Sequence, residues 1–143
     1  IALIQAVIDG MVARRFGRIV NITSGSVKAP LSGLELSSGA RLGLTGFLAG
    51  VARQVAHANV TINCLLPGSF ATARLDALDA NQAKTTGATP AEVRERRAQS
   101  IPARRVGDPA EFGAACAFLC SAQAGFITGQ SLLIDGGAFP GVL

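Results

Sequence analysis

The strongest constraint on the fold lies between Arg18 and Phe47, where the period of the hydrophobic pattern changes from that of a strand to that of a helix. Residues 19–22 form a short apolar run broken only by Asn21, the pattern of a parallel strand covered on both faces. Thr23 and Ser24 follow, then a loop over 25–33 with Pro30 and several small residues. From 36 to 57 apolar residues return at helical spacing, among them Leu36, Ala40, Leu44, Leu48, Val51 and Val55. The next apolar run, 60–66, is stopped by Pro67-Gly68 and reads as the neighbouring strand. Polar residues at the carboxyl end of a parallel strand stand where open α/β sheets put their chemistry. A functional reading therefore depends on Ser24, Ser37 and Arg41.

The rest of the chain extends the same alternation. IALIQAVIDGMVARR has apolar residues at 1, 3, 4, 7, 8, 11 and 12, one stripe of a helix with no cap before it. The expectation is a helix already under way at residue 1. Residues 72–100 are rich in Ala, Thr, Gln and charge, and are expected to be more mobile than their surroundings, a candidate lid. One helix is expected there, over 90–99, because Thr89-Pro90-Ala91-Glu92 supplies a cap, a first-turn Pro and a Glu at the third position. Asp108-Pro109-Ala110-Glu111 opens another helix, to about residue 121, and 130–134 reads as a last strand before Asp135-Gly136-Gly137. Strand, helix, strand, helix, strand without linker or repeat predicts one α/β domain with a layered parallel sheet over 1–143.

Composition narrows the function classes. Apolar residues make up 49% and charged residues 15% of the 143, too greasy and too weakly charged for a disordered chain. No stretch approaches the ~18 uninterrupted apolar residues of a membrane span. The net charge is +4, and six of the 13 basic residues fall between Lys84 and Arg105 with no interleaved aromatics. That is a solvated face or an attractor of anions, not a nucleic-acid stripe. The three cysteines, Cys64, Cys116 and Cys120, form no metal-like set and point to reduced thiols in a cytoplasmic setting. Cys116 and Cys120 share a helix face, where core packing is the simpler reading and a metal the alternative. Gly39, Gly43, Gly46 and Gly50 recur along the 36–57 helix. Gly costs about 1 kcal/mol against Ala in a helix, so the row implies close backbone packing. An interface between copies of the chain is the preferred reading, and packing on the chain's own sheet the other. A serine hydrolase is disfavoured, since no G-x-S-x-G occurs and His57, the one histidine, is distant in sequence from the serines.

Several segments together carry a resemblance. GRIVNITS at 17–24, VTINCLLPG at 60–68, Thr72, IPARRVGDPAEFGAACAFL at 101–119 and ITGQSLLIDGG at 127–137 occur in one order and spacing. The chain resembles the C-terminal half of a short-chain dehydrogenase/reductase, near the 3-oxoacyl-[acyl-carrier-protein] reductase branch. The resemblance implies part of a Rossmann-type doubly wound sheet whose N-terminal half is missing. It also implies hydride transfer between NAD or NADP and a carbonyl or alcohol, on a small-molecule or acyl-carrier substrate. Homodimers or homotetramers would assemble through the 36–57 helix. Ser24 matches the family serine that hydrogen-bonds the substrate oxygen. Pro67, Gly68, Ser69, Phe70 and Thr72 match the loop that meets the nicotinamide, with Phe70 where Ile or Val is commoner. The Gly-rich phosphate loop and the residue that selects NAD or NADP have no counterpart here.

The family's proton donor departs from the pattern. A Tyr is expected thirteen residues after Ser24 and a Lys four later; Ser37 and Arg41 stand there, and the chain has no Tyr. A phenol near a cation can serve as general acid and base, whereas a serine hydroxyl is a far weaker acid on a shorter arm. Arg is a planar fork where Lys is a point charge. Three readings stay open. A reductase could use Ser24, Ser37 and an ordered water, with Glu35 or a residue outside this chain as proton source. The protein could instead bind cofactor and assemble as a scaffold with little turnover. Or Ser37 and Arg41 could be ordinary helix residues, Arg41 in a surface pair.

Overall fold

A computed structural model describes residues 1–141. Five helices and three strands alternate along the chain: α1 (Ala2–Ala13), β1 (Gly17–Ile22), α2 (Glu35–Val55), β2 (Val60–Pro67), α3 (Ala73–Thr86), α4 (Pro90–Ser100), α5 (Pro109–Cys120) and β3 (Ser131–Ile134). The strands form one parallel sheet in the order β1-β2-β3.

β2 is the centre of the molecule, and its pleat sorts the two cores. Ile62, Cys64 and Leu66 point to one face and pack with Ile4 of α1 and Leu48 and Ala52 of α2. Leu65 points to the other and packs with Leu119 of α5 and Ala124. Alternation by two therefore produces a layer of helices on each face of the sheet. Asn63, buried on β2, donates to Ile127 O at 2.8 Å and accepts from Gln130 N at 3.0 Å. One polar side chain thus fixes the turn that leads into β3.

The expected helix and strand order stands, and three expectations change. The first concerns 72–100, which holds two helices where one was expected. α3 carries only a weak apolar stripe, so its pattern does not announce it. It is held by Thr72 and closes on α4 through ions: the carboxylate of Asp79, 1% exposed, accepts from Arg94, and at 2.7 Å from Arg97. Arg94 also reaches Asp76 at 2.6 Å. The pair is cross-linked by charge. The second concerns α2, where a Cβ added at Gly39, Gly43, Gly46 or Gly50 would meet nothing within 4 Å. The glycine row does not pack on the chain's own sheet. The third concerns the thiols: Cys116 packs against the Leu65 core, but Cys120, a turn later, is exposed.

Candidate active site

The carboxyl ends of β1 and β2 open into a cleft of about 690 Å³. Ser24, Ser37, Arg41, Pro67, Gly68, Ser69, Phe70 and Thr72 all line it. These eight residues are thus brought to one cavity.

On the β1 side, Thr23 extends the strand, its N–H donating to Leu65 O at 2.9 Å. Ser24 then caps a short 3₁₀ turn, Gly25–Val27, its Oγ accepting from Ser26 N at 3.1 Å. That bond occupies a lone pair and leaves the hydroxyl proton free. Ser37 stands in the first turn of α2 and Arg41 one turn later, so their side chains meet on one face. Arg41 Nε donates to Ser37 Oγ at 3.2 Å, and Nη1 donates to Thr23 O at 2.9 Å. The guanidinium therefore ties α2 to the backbone immediately before Ser24. Among the described residues Arg41 has no carboxylate partner, so it does not make a surface pair. Thr23 Oγ1, buried beside it, has no hydrogen-bond partner among the described residues.

Glu35 does not belong to this group. It lies outside the cleft lining, and its Oε1 accepts from Gly33 N at 2.9 Å. Backbone N–H groups of Glu35 and Gly33 hold its pKa below the usual carboxylate range. An exposed carboxylate stabilised in its ionised form is a poor proton source at neutral pH.

The β2 side is shaped by close backbone approach. Gly68 N donates to Ile134 O at 2.9 Å. A Cβ on Gly68 would fall 2.6 Å from Asp135 Cβ, so only glycine fits. Phe70 bridges in parallel to Gly107, lies against its Cα, and meets Phe112 edge-on at 5.3 Å. The Phe at this position is accommodated because Gly107 has no side chain. Thr72 caps α3, its Oγ1 accepting from Leu75 N at 3.4 Å. Asp135, whose Oδ1 accepts from Gly137 N and Oδ2 from Phe139 N, folds the segment after β3 against the same cleft. Behind Phe70 a recess of about 220 Å³ is lined by Arg105 and Glu111. Those two side chains are paired at 2.6 Å.

Sequence reasoning missed part of the lining. Arg74, Leu75, Leu78 and Arg97 come from α3 and α4, and Leu31 and Leu34 from the loop before α2. The α3 residues could not be placed without the helix itself. Arg74 was marked only by being a basic residue in a helix's first turn, against the dipole. Among the described residues no three or more His, Cys, Asp or Glu gather into a metal-holding group. Among the described residues no helix is long and apolar enough to cross a membrane.

The arrangement offers two hydroxyls, Ser24 and Ser37, and one fixed cation, Arg41, at the end of a strand. Such a set stabilises negative charge developing on an oxygen. It contains no phenol, imidazole or neutral carboxyl group to titrate.

Comparison with known proteins adds the family. The family described as enoyl-(acyl carrier protein) reductase matches residues 1–138. A 3-oxoacyl-[acyl-carrier-protein] reductase of Vibrio cholerae is 37% identical over 139 residues, which are 96% of this chain and 52% of that protein. An acetoacetyl-CoA reductase of Cupriavidus necator is 36% identical over 137 residues, 96% of this chain and 51% of that protein. The crystal structure of YwfH, an NADPH-dependent reductase involved in bacilysin biosynthesis, superposes with a TM-score of 0.89 at 34% identity, covering 97% of this chain and 53% of that one. The chain thus spans about half the length of the curated relatives it matches. With its parallel sheet, its cleft at the strand ends and this match along almost its whole length, the chain belongs to the short-chain dehydrogenase/reductase family.

Proposed function

We propose that this chain forms the nicotinamide and substrate side of an NAD(P)-dependent oxidoreductase site, acting on a carbonyl or alcohol of the 3-oxoacyl thioester type. The observation that carries the reading is the convergence of Ser24, Ser37 and Arg41 on one cleft, with the hydroxyl lone pairs engaged so that their protons are available. The names of its relatives, a 3-oxoacyl-[acyl-carrier-protein] reductase and an acetoacetyl-CoA reductase, support the substrate class.

The residues present fit a nicotinamide ring. The orphaned Thr23 Oγ1 supplies an unused polar atom beside the cleft, and Pro67, Gly68, Ser69, Phe70 and Thr72 form its opposite wall. Gly68 lets that wall pack closely on Asp135, and these residues would hold the ring when it is bound. The bound cofactor supplies the hydride. Ser24 donates to the substrate carbonyl oxygen and fixes its orientation. Ser37, polarised by Arg41, donates a second hydrogen bond to the same oxygen as charge develops there. The oxygen then takes the Ser37 hydroxyl proton, and one water at the cleft mouth returns a proton to Ser37. A neutral hydroxyl is a weaker acid than a phenol, so turnover is slower than with Tyr in place.

A homo-oligomer through α2 completes the reading. The glycine row is open to solvent, and Leu36, Leu42 and Phe47 flank it on the same face, exposed by 94%, 48% and 40%. Gly43→Leu or Gly50→Leu is expected to dissociate the intact protein in size-exclusion chromatography. The three free thiols fit a reducing, cytoplasmic setting. One observation favours a second reading, a cofactor-binding scaffold with little turnover: no tyrosine exists to serve as acid. The two separate in one assay. The intact protein, given NADPH and acetoacetyl-CoA, oxidises the cofactor if the first holds. If it quenches cofactor fluorescence on binding yet turns over no carbonyl, the second holds.

A further inference from the structure

The cleft has a second polar region that the proposed hydride-transfer chemistry does not use. Arg74 and Arg97 both line it, on the α3–α4 hood that faces the Ser24–Arg41 wall. Arg97 is held in place by a buried carboxylate: its Nε and Nη2 both donate to Asp79 Oδ1, at 3.0 and 2.7 Å, and the Asp79 side chain is only 2% exposed. Its Nη1 has no protein partner among the described residues. An arginine fixed on one edge by a buried acid presents its other edge already ordered, which lowers the entropy lost when a ligand binds. Two acids of α3 are taken up by arginines of α4, while Glu92 closes the α4 capping box and Glu95 accepts from Gln99. Asp79 and Asp76 balance Arg94 and Arg97, as the ion pairs show.

Arg74 stands outside that balance. It has no hydrogen bond or ion pair among the described residues, and it sits in the first turn of α3, where the helix dipole disfavours a cation. A charge that breaks a local rule without a compensating partner marks a functional position more often than a structural one. Leu75 and Leu78 of α3 and Leu31 and Leu34 of the loop before α2 line the same cleft. Its one carboxylate among the described residues, Asp135, accepts from Gly137 N and Phe139 N.

We propose that Arg74 and Arg97 form a specificity clamp for an oxyanion on the substrate, at the end of an apolar segment removed from the reacting carbonyl. The proposal rests on the substrate side of the reading above. The anion is a phosphate on the thioester carrier or a carboxylate on the acyl end. Each guanidinium gives it charge-assisted hydrogen bonds, and Asp79 is the positioning residue that aims Arg97.

The test is equilibrium binding by calorimetry on the intact protein with the oxidised cofactor NADP+ present, which has no hydride to give, and so does not depend on turnover. The probes are acetoacetyl-CoA, monoethyl 3-oxoadipate and the uncharged ethyl acetoacetate. Arg74→Leu, at an exposed position with no partner to orphan, is expected to weaken one of the two anions by about tenfold and the neutral ester hardly at all. The loss shrinks in high salt. Asp79→Asn weakens the same anion, and Arg97→Leu weakens it more than Arg97→Lys does. Arg96→Leu, on α4 but outside the cleft, removes the same charge and leaves all three constants unchanged. The source is phosphate if acetoacetyl-CoA responds, and carboxylate if the oxoadipate does. The proposal is overturned if Arg74→Leu moves all three probes alike, or if it moves NADP+ affinity and none of the probes. Wild-type protein that binds the anion selectively yet reduces nothing keeps the clamp and sinks the reductase reading.

Discussion

The two walls of the cleft hold arginines in opposite states. On the β1–α2 wall, Arg41 is fixed by neutral groups, the Thr23 carbonyl and the Ser37 hydroxyl, and keeps its whole charge. On the hood, Arg94 and Arg97 close on Asp79 and Asp76. Burial alone raises the Asp79 pKa, but hydrogen bonds and charge from Arg94 and Arg97 outweigh it and hold the carboxyl below its usual range. Compensated cations hold α3 to α4, and of the two only Arg97 also lines the cleft. An uncompensated one remains available to an oxygen that gains charge.

That contrast sets the size and kind of effect expected on each wall. On the catalytic wall, Ser24→Ala removes one donor to the reacting oxygen and is expected to lower kcat/KM of the intact protein by about 10²-fold. The melting temperature should barely move. Equal loss of stability and rate would erase the distinction. On the hood the expectation inverts. Asp79→Ala leaves two arginines without their buried partner and should cost about 3 kcal/mol in urea denaturation, discounted because both guanidinium groups reach solvent. A stability change near zero would mean the ion cluster is only decorative.

Smaller effects sharpen the same comparison. Gly68→Ala drives a methyl group into Asp135 at 2.6 Å, and overpacking of this kind costs about 1–3 kcal/mol. It should also weaken cofactor binding, measurable by fluorescence quenching, because the loop under the cleft must shift. The smallest effect is at Glu111, whose carboxyl is held at about 2 by its bond to Arg105 and the Asp108 backbone. Its folded value lies below the ordinary 4.5. The stabilisation is therefore fully present above the ordinary value and lost as pH falls toward the folded one. Glu111→Gln should flatten the fall in melting temperature between about pH 5 and pH 2. Curves that stay parallel would show that the pair contributes nothing.

How legible this was follows from where the signals sit. β1, α2 and β2 announce themselves because each buries a face, and burial writes a period into the sequence. The capping boxes at Thr89 and Asp108 likewise mark α4 and α5, and the structure has both closed. α3 left almost no trace, since ion pairs to a helix fifteen residues away do the work of an apolar stripe and have no local period. The same reason hid Arg74 and Arg97: their place in the cleft depends on α3 packing against α4. Ser24, Ser37 and Arg41 could be placed because one strand and one helix suffice to bring them together. The Thr23 carbonyl, which anchors Arg41, is backbone and invisible to any reading of side chains.

The central claim is that hydroxyl donors and an unpaired cation, with no titrating acid, handle the charge on the substrate oxygen. The most direct measurement is the pH dependence of kcat with NADPH and acetoacetyl-CoA for the intact protein and for its Ser37→Tyr, Arg41→Lys double variant. Serine and arginine side chains do not titrate between about pH 6 and pH 9, so wild type should be slow and flat across that range. The double variant should be at least about tenfold faster, since a general acid is worth about 10²–10⁴ in rate, and should gain a limb that reports the new phenol. A wild-type profile with its own ionisation in that range, or a double variant no faster than wild type, would contradict the claim.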